Sequence, residues 1–179
     1  MSTTRLVTTR LITPDDASAI ADLVAASREF LAPWEPARDG SYFSVEGQRA
    51  TIEAALAKHE AGAMLPHVIL NDEGRVAGRI IINDIVHGAF ENGHLGYWVS
   101  AAEGGRGLAT AAVREMIDVA FGQLGLHRIQ AGTLLHNVRS QRVLERNGFI
   151  RFGMAPAYLK IDGQWQDHYL YQLINPAPM

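Results

Sequence analysis

The chain has 179 residues, 47% hydrophobic and 20% charged, which suits one globular domain, 1–179, with a sizeable core. A formal net charge of -3 and a pI near 6.1 exclude a surface built mainly to neutralise nucleic-acid phosphates, so no direct nucleic-acid partner is expected. Seven His and no Cys exclude disulfides, thiolate metal sites and cysteine nucleophiles; with no stretch of membrane-spanning length, a metal-free cytoplasmic protein is expected.

Leu6, Val7, Leu11 and Ile12 read as an opening strand. Thr13-Pro14-Asp15-Asp16 then offers a cap, a proline for the first helical position and acids for the first turn, starting a helix that carries Ile20, Leu23 and Val24. Two prolines in Leu31-Ala32-Pro33-Trp34-Glu35-Pro36 predict a loop presenting an aromatic. Ile52, Ala55 and Leu56 predict a second helix from about Val45 to His59, stopped near Gly62. Val68 to Leu70 and Val76 to Ile82 form a predicted hairpin across Asn71-Asp72-Glu73-Gly74, and His94 to Ser100 a further strand. Glu103-Gly104-Gly105-Arg106-Gly107-Leu108-Ala109 opens a helix with Ala112, Val113, Met116, Ile117 and Ala120 on its apolar face. Arg128 to Thr133 is a predicted strand and Asn137 to Arg146 a short helix, and the end is a hairpin turning at Asp162-Gly163. This order, with one strand-helix-strand crossover, predicts an α/β fold in three layers around a mixed, mostly antiparallel sheet.

Successive glycines at a helix start let backbone N–H groups approach an anion, and the helix dipole favours negative charge there. The loop lacks the Gly-Lys-Ser/Thr ending of a Walker A motif and the third small residue of the dinucleotide fingerprint, which disfavours nucleotide hydrolysis and nicotinamide binding. Taken alone, it reads equally as a tight packing turn.

Arg106-Gly107-Leu108-Ala109, with Gly104 before them, resemble the coenzyme A loop Gln/Arg-x-x-Gly-x-Gly/Ala of the GNAT superfamily of N-acetyltransferases, departing at its first position. Gly96-Tyr97-Trp98-Val99, Asn137-Val138-Arg139-Ser140, Leu144-Glu145-Arg146-Asn147-Gly148-Phe149, Leu31 to Trp34, and Tyr158-Leu159-Lys160 followed by Asp162-Gly163, Trp165 and Asp167 are similar to the Rim-type branch, which acetylates the N-terminal alanine of ribosomal proteins. The resemblance implies a GNAT-type three-layer α/β/α fold whose sheet splays between two parallel strands at the acetyl-CoA site. It implies acetyl-CoA as donor, no metal, a primary amine as acceptor, no membrane contact, and a monomer or homodimer. The expected acceptor is a protein N-terminus such as that of a ribosomal protein. A small amine (antibiotic, polyamine or amino acid) is the rival acceptor, and a non-catalytic acetyl-CoA sensor the rival function.

By the same resemblance, Trp98 and Val99 would offer a strand edge to pantetheine, while Gly104, Gly105, Arg106, Gly107, Leu108, Ala109 and Thr110 would meet the pyrophosphate. An N-terminal amine, with a reference pKa of about 7.7–8.0 against about 10.4 for lysine, needs only a modest base. His94 stands where relatives with the Gly-Tyr-Trp pattern often carry glutamate and is the expected base, with Glu91 in reserve; each otherwise reads as a solvated strand edge. Ser140, ahead of Tyr158, is expected to hydrogen-bond or protonate the departing thiolate. Ala157 stands where some relatives have a carboxylate, so no base is carried over there. Asn137 caps its helix or holds the pantetheine arm. Arg142 approaches the phosphates or is a solvated charge, and Trp34 walls the acceptor pocket or plugs the core.

Overall fold

A computed structural model of the chain describes residues 8–176. Its elements are β1 (Thr9–Leu11), α1 (Ala17–Ala26), α2 (Arg28–Leu31), α3 (Val45–Glu60), β2 (Leu65–Leu70), β3 (Val76–Val86), β4 (Asn92–Val99), α4 (Leu108–Gly122), β5 (Arg128–Leu134), α5 (Val138–Arg146), β6 (Ile150–Ile161) and β7 (Gln164–Ile174). Seven strands form one sheet in the order β1-β2-β3-β4-β5-β7-β6. Every pairing is antiparallel except β4 with β5, which the α4 crossover makes parallel.

The two faces of the sheet carry separate apolar cores. On one, Ile80, Ile82 and Leu95 pack with Ala112, Val113 and Met116 of α4 and Leu144 of α5. On the other, Val68 packs with Ile12, with Ile20 and Val24 of α1, and with Ile52 of α3. The alternation of β4 divides its side chains accordingly: Tyr97 and Val99 join the α4 core, whereas Trp98 joins the α1–α3 core.

Several predicted boundaries shift. The opening strand is only Thr9–Leu11; Ile12 follows it as a fully buried residue, and Leu6 and Val7 lie outside the described residues. A 3-10 turn, Pro14–Asp16, precedes α1, because the Asp16 carboxylate accepts the Thr13 N–H at 2.8 Å and fixes the entry tightly. The proline-rich stretch predicted as loop is helical in part: α2 runs straight into a 3-10 turn at Ala32–Trp34, where Pro33 occupies a first-turn position that needs no N–H donor. β2 starts three residues earlier than predicted and contains Pro66, which sits just beyond the residues that pair with β1. β3 runs on to Val86 across an irregularity at Asp84, which has a positive φ of 48°.

Candidate active site

β4 and β5 pair at only three positions, Asn92 with Arg128, Gly93 with Ile129 and His94 with Gln130. Beyond them β4 continues to Val99 and β5 to Leu134 without mutual hydrogen bonds, so the sheet opens between the two strands. A cavity of about 750 Å³ fills the opening, walled by Gly96, Tyr97 and Trp98 of β4 and by Ala131, Gly132, Thr133 and Leu134 of β5. The separation is held from one side by α5, whose Gln141 amide donates to the carbonyls of Leu134 and Leu135.

The glycine loop lies at the C-terminal end of β4. Gly105 and Gly107 both have φ near 79°, and Gly107 is the N-cap of α4. A cap without a side chain leaves the first N–H groups of α4 unblocked, and no acidic residue stands in the first turn. Glu103, the nearest acid in sequence, is occupied elsewhere: Asn71 donates to its Oε1 at 2.9 Å, and Arg106 to its Oε2 at 3.1 Å. This helix start is chemically suited to a phosphate group.

Ser140 reaches the cavity from the first turn of α5, where the Asn137 Oδ1 caps the helix by accepting the Ser140 N–H at 3.2 Å. The capping role therefore holds for Asn137, whose side chain also borders the cavity. Ser140 Oγ lies 2.8 Å from the Tyr97 hydroxyl, which also donates to the Ser140 carbonyl at 3.3 Å. Burial pushes the Tyr97 phenol well above the usual tyrosine range, against a smaller opposing effect of the Ser140 hydrogen bond. Tyr97 thus stays protonated, and when its one proton turns from the Ser140 carbonyl to Ser140 Oγ the serine proton is free for another acceptor.

On the opposite face, Trp34, Glu35 and Arg38 line the cavity together with Tyr42 and Arg79. Trp34 also packs against His136, the two rings tilted at 40° with 5.4 Å between centroids. Arg38 lies 4.5 Å over the Tyr42 ring and 4.0 Å from the Glu35 carboxylate. Burial raises the Glu35 carboxyl above its ordinary range, with Arg38 pulling the other way. The Glu35 carbonyl accepts the Asp162 N–H, tying this segment to the tip of the β6–β7 hairpin.

Of the residues singled out in the sequence, the cavity brings together Trp34, Trp98, Asn137 and Ser140. His94 does not line it. Its strand position faces the same side as Gly96 and Trp98, one step behind the opening, with a buried Nδ1 that has no partner among the described residues. Glu91 is exposed at the other end of β4, with a positive φ of 39°, and its carbonyl anchors the start of β5 by accepting from His127 and Arg128. Val99 packs into the α4 core, and Arg142 is exposed on α5. Tyr158 stands against His168, whose ring borders the cavity, at 5.6 Å between centroids. It projects from a bulge in β6 where Ala157 has φ 46° and donates its N–H to Asp167 at 2.8 Å. Sequence reasoning missed Tyr97 as a hydroxyl partner of Ser140, and it missed Glu35, Arg38 and Arg79. For Arg79 the signal was available as a lone cation inside the apolar run Val76 to Ile82.

A family model described as the acetyltransferase (GNAT) domain matches residues 5–150. The chain belongs to this family of N-acetyltransferases. It is 37% identical over 177 residues to the ribosomal protein uS5-alanine N-acetyltransferase of Escherichia coli, covering 98% of this chain and 91% of that protein. Its fold matches the ribosomal-protein-S5-alanine acetyltransferase of Vibrio fischeri with a TM-score of 0.89 at 34% identity, over 94% of this chain and 92% of the other. It matches Mycobacterium smegmatis RimJ in complex with CoA-disulfide equally well, with a TM-score of 0.89 at 34% identity, over 93% of this chain and 80% of that one.

Proposed function

We propose that this chain transfers the acetyl group of acetyl-CoA to the α-amine of a protein N-terminus, with ribosomal proteins as the acceptor class. The observation that carries the reading is the opening between β4 and β5. It places a phosphate-suited helix start and the Ser140–Tyr97 pair on one face of the sheet, and an aromatic, charged pocket on the other. The likeness to two ribosomal S5-alanine acetyltransferases supplies the acceptor.

Acetyl-CoA brings an acyl group activated as a thioester. Backbone N–H groups from Gly105 through Thr110 would hold its pyrophosphate, and the β5-facing edge of β4 at Gly96 to Trp98, open beyond His94, offers backbone groups to the pantetheine arm. The acceptor amine enters from the side of Trp34 and attacks the carbonyl carbon as the free base. An N–C bond forms and the C–S bond breaks. Ser140 Oγ, oriented by Tyr97, donates to the departing sulfur. The amine proton leaves through water toward His94, whose buried Nδ1 has no partner among the described residues. Tyr158, packed against the cavity-lining His168 at 5.6 Å between ring centroids, is the second candidate donor to the sulfur.

The reading is tested by comparing kcat/KM for peptides starting with alanine or serine against spermidine, an aminoglycoside and free amino acids. Preference for the peptides by tenfold or more, about 1.4 kcal/mol in transition-state binding, supports it. Turnover of small amines alone would move the chain to the rival acceptor class, and acetyl-CoA binding without turnover of any amine would make it a sensor.

A further inference from the structure

Arg79 is an anomaly in the middle of β3. Only 5% of its surface is exposed, and its Nε is buried without a hydrogen-bond partner among the described residues. None of the hydrogen bonds or ion pairs among those residues involves its guanidinium, although an arginine brings five donors in a planar fork. Its charged surroundings are Arg38, another cation, and the un-ionised Tyr42. Taking a guanidinium out of water with no counter-charge is costly, and replacing such a group by an apolar one of similar volume is commonly neutral or stabilising. A chain that keeps this arginine at the wall of a cavity keeps it for something that enters the cavity.

The electrostatics of the acceptor side say what that is. Arg38, Lys58, Arg79 and Lys160 line the cavity, and among its described lining residues Glu35 is the one carboxylate opposing them. Glu35 is already engaged with Arg38 at 4.0 Å. Arg79 sits directly across from Trp98 in the β3–β4 register, so it belongs to the face of the sheet opposite α4 and its glycine loop. The phosphates held at α4 are therefore not its partner.

We infer that Arg79, with Arg38 beside it, forms a subsite for a carboxylate carried by the acceptor a short distance from the amine that is acetylated. This rests on the acceptor reading above and narrows it: the chain selects N-termini with Asp or Glu among their first few residues. The guanidinium of Arg79 then faces the acid, while Arg38 adds positive charge beside it and stays paired with Glu35. The fork of Arg79 accepts a carboxylate through two parallel N–H···O bonds, which a lysine cannot reproduce.

The test compares amidated tetrapeptides, Ala first, with Glu or Gln placed at the second, third or fourth position. Wild-type protein should favour the Glu peptide at one of these positions by at least about tenfold in kcat/KM, the size of one charge-assisted hydrogen bond. Arg79→Met should bring the Glu-to-Gln ratio of kcat/KM down to about one, whatever the absolute rates, with Tm unchanged or raised, and Arg79→Lys should recover only part of the preference. Arg38→Gln provides a second variant, expected to weaken the preference without abolishing it. Equal turnover of Glu and Gln peptides by the wild type would overturn the subsite, as would a preference that survives in Arg79→Met. A fall in Tm in that variant, with the preference intact, would show Arg79 to be structural. If no peptide is turned over, the protein-acceptor reading fails separately. The subsite is then judged on alanine against alaninamide: a preference for the free acid that Arg79→Met removes supports it, and equal rates overturn it.

Discussion

Two hydroxyls and two histidines carry most of the chemistry that individual residues can be asked about. In the proposed reaction the Ser140 hydroxyl donates to the leaving sulfur, so Ser140→Ala should lower kcat by about 10²-fold or more while KM for acetyl-CoA changes little. Tyr97→Phe leaves the serine in place but no longer oriented, and a smaller fall in kcat is expected from the same steady-state measurement. His94→Gln should lower kcat while KM for acetyl-CoA changes little, and an unchanged kcat would remove His94 from the mechanism. His67 acts on stability instead. It is buried on β2, its Nδ1 3.1 Å from the Thr9 hydroxyl, and burial, with a smaller contribution from nearby His59, lowers its pKa to about 4. The unfolded chain takes up this proton near pH 6.5, so between about 6.5 and 4 it binds a proton that the folded chain refuses. Stability should therefore decline as pH falls through that window, by at most ~1.4 kcal/mol per pH unit, and His67→Gln should flatten the slope in urea titrations. Residue roles were only partly legible in the sequence. Ser140 and Trp34 could be found because they sit in recognisable strings, but Tyr97 could not be paired with Ser140, since that contact joins β4 to α5 across 43 positions.

Among the elements, the start of α4 is the most exposed to substitution. Gly107 caps it with φ 79°, a conformation that costs an L-residue roughly 1–2 kcal/mol. Gly107→Ala should thus weaken acetyl-CoA binding, seen in calorimetric titration as a raised Kd, while leaving the strands and their cores in place. Unchanged affinity would mean that the loop is a packing turn and nothing more. The loop and helix were readable because composition and spacing both mark them: glycines, then apolar residues at helical intervals. The 3-10 turn at Ala32–Trp34 was hidden because prolines were read as breakers, although Pro33 falls in its first turn. The early start of β2 was hidden for a related reason, since Pro66 makes the run look unlike a strand until one sees that β1 ends beside it.

For the whole molecule, the arrangement follows from one interrupted pairing. Crossover through α4 makes β4 and β5 parallel neighbours, and their separation after His94 and Gln130 turns an otherwise continuous sheet into a passage between its two faces. In the proposed reaction donor and acceptor approach from opposite sides of the sheet and meet at the gap, each with its own charge environment. The alternation of helices and strands foretold the layers and the mixed sheet, while the opening itself came from family resemblance, because no local pattern says that two strands stop pairing. The cationic side of the cavity was legible only at Arg79, a lone cation in an apolar run; Arg38, Lys58 and Lys160 are scattered along the chain and gathered only by the fold. The most direct measurement is tandem mass spectrometry of a peptide beginning with alanine and containing an internal lysine, after incubation with the protein and acetyl-CoA. One acetyl group on the α-nitrogen, with coenzyme A released in equal amount, is the predicted result. Acetylation confined to the lysine side chain, or an unmodified peptide, would contradict transfer to a protein N-terminus.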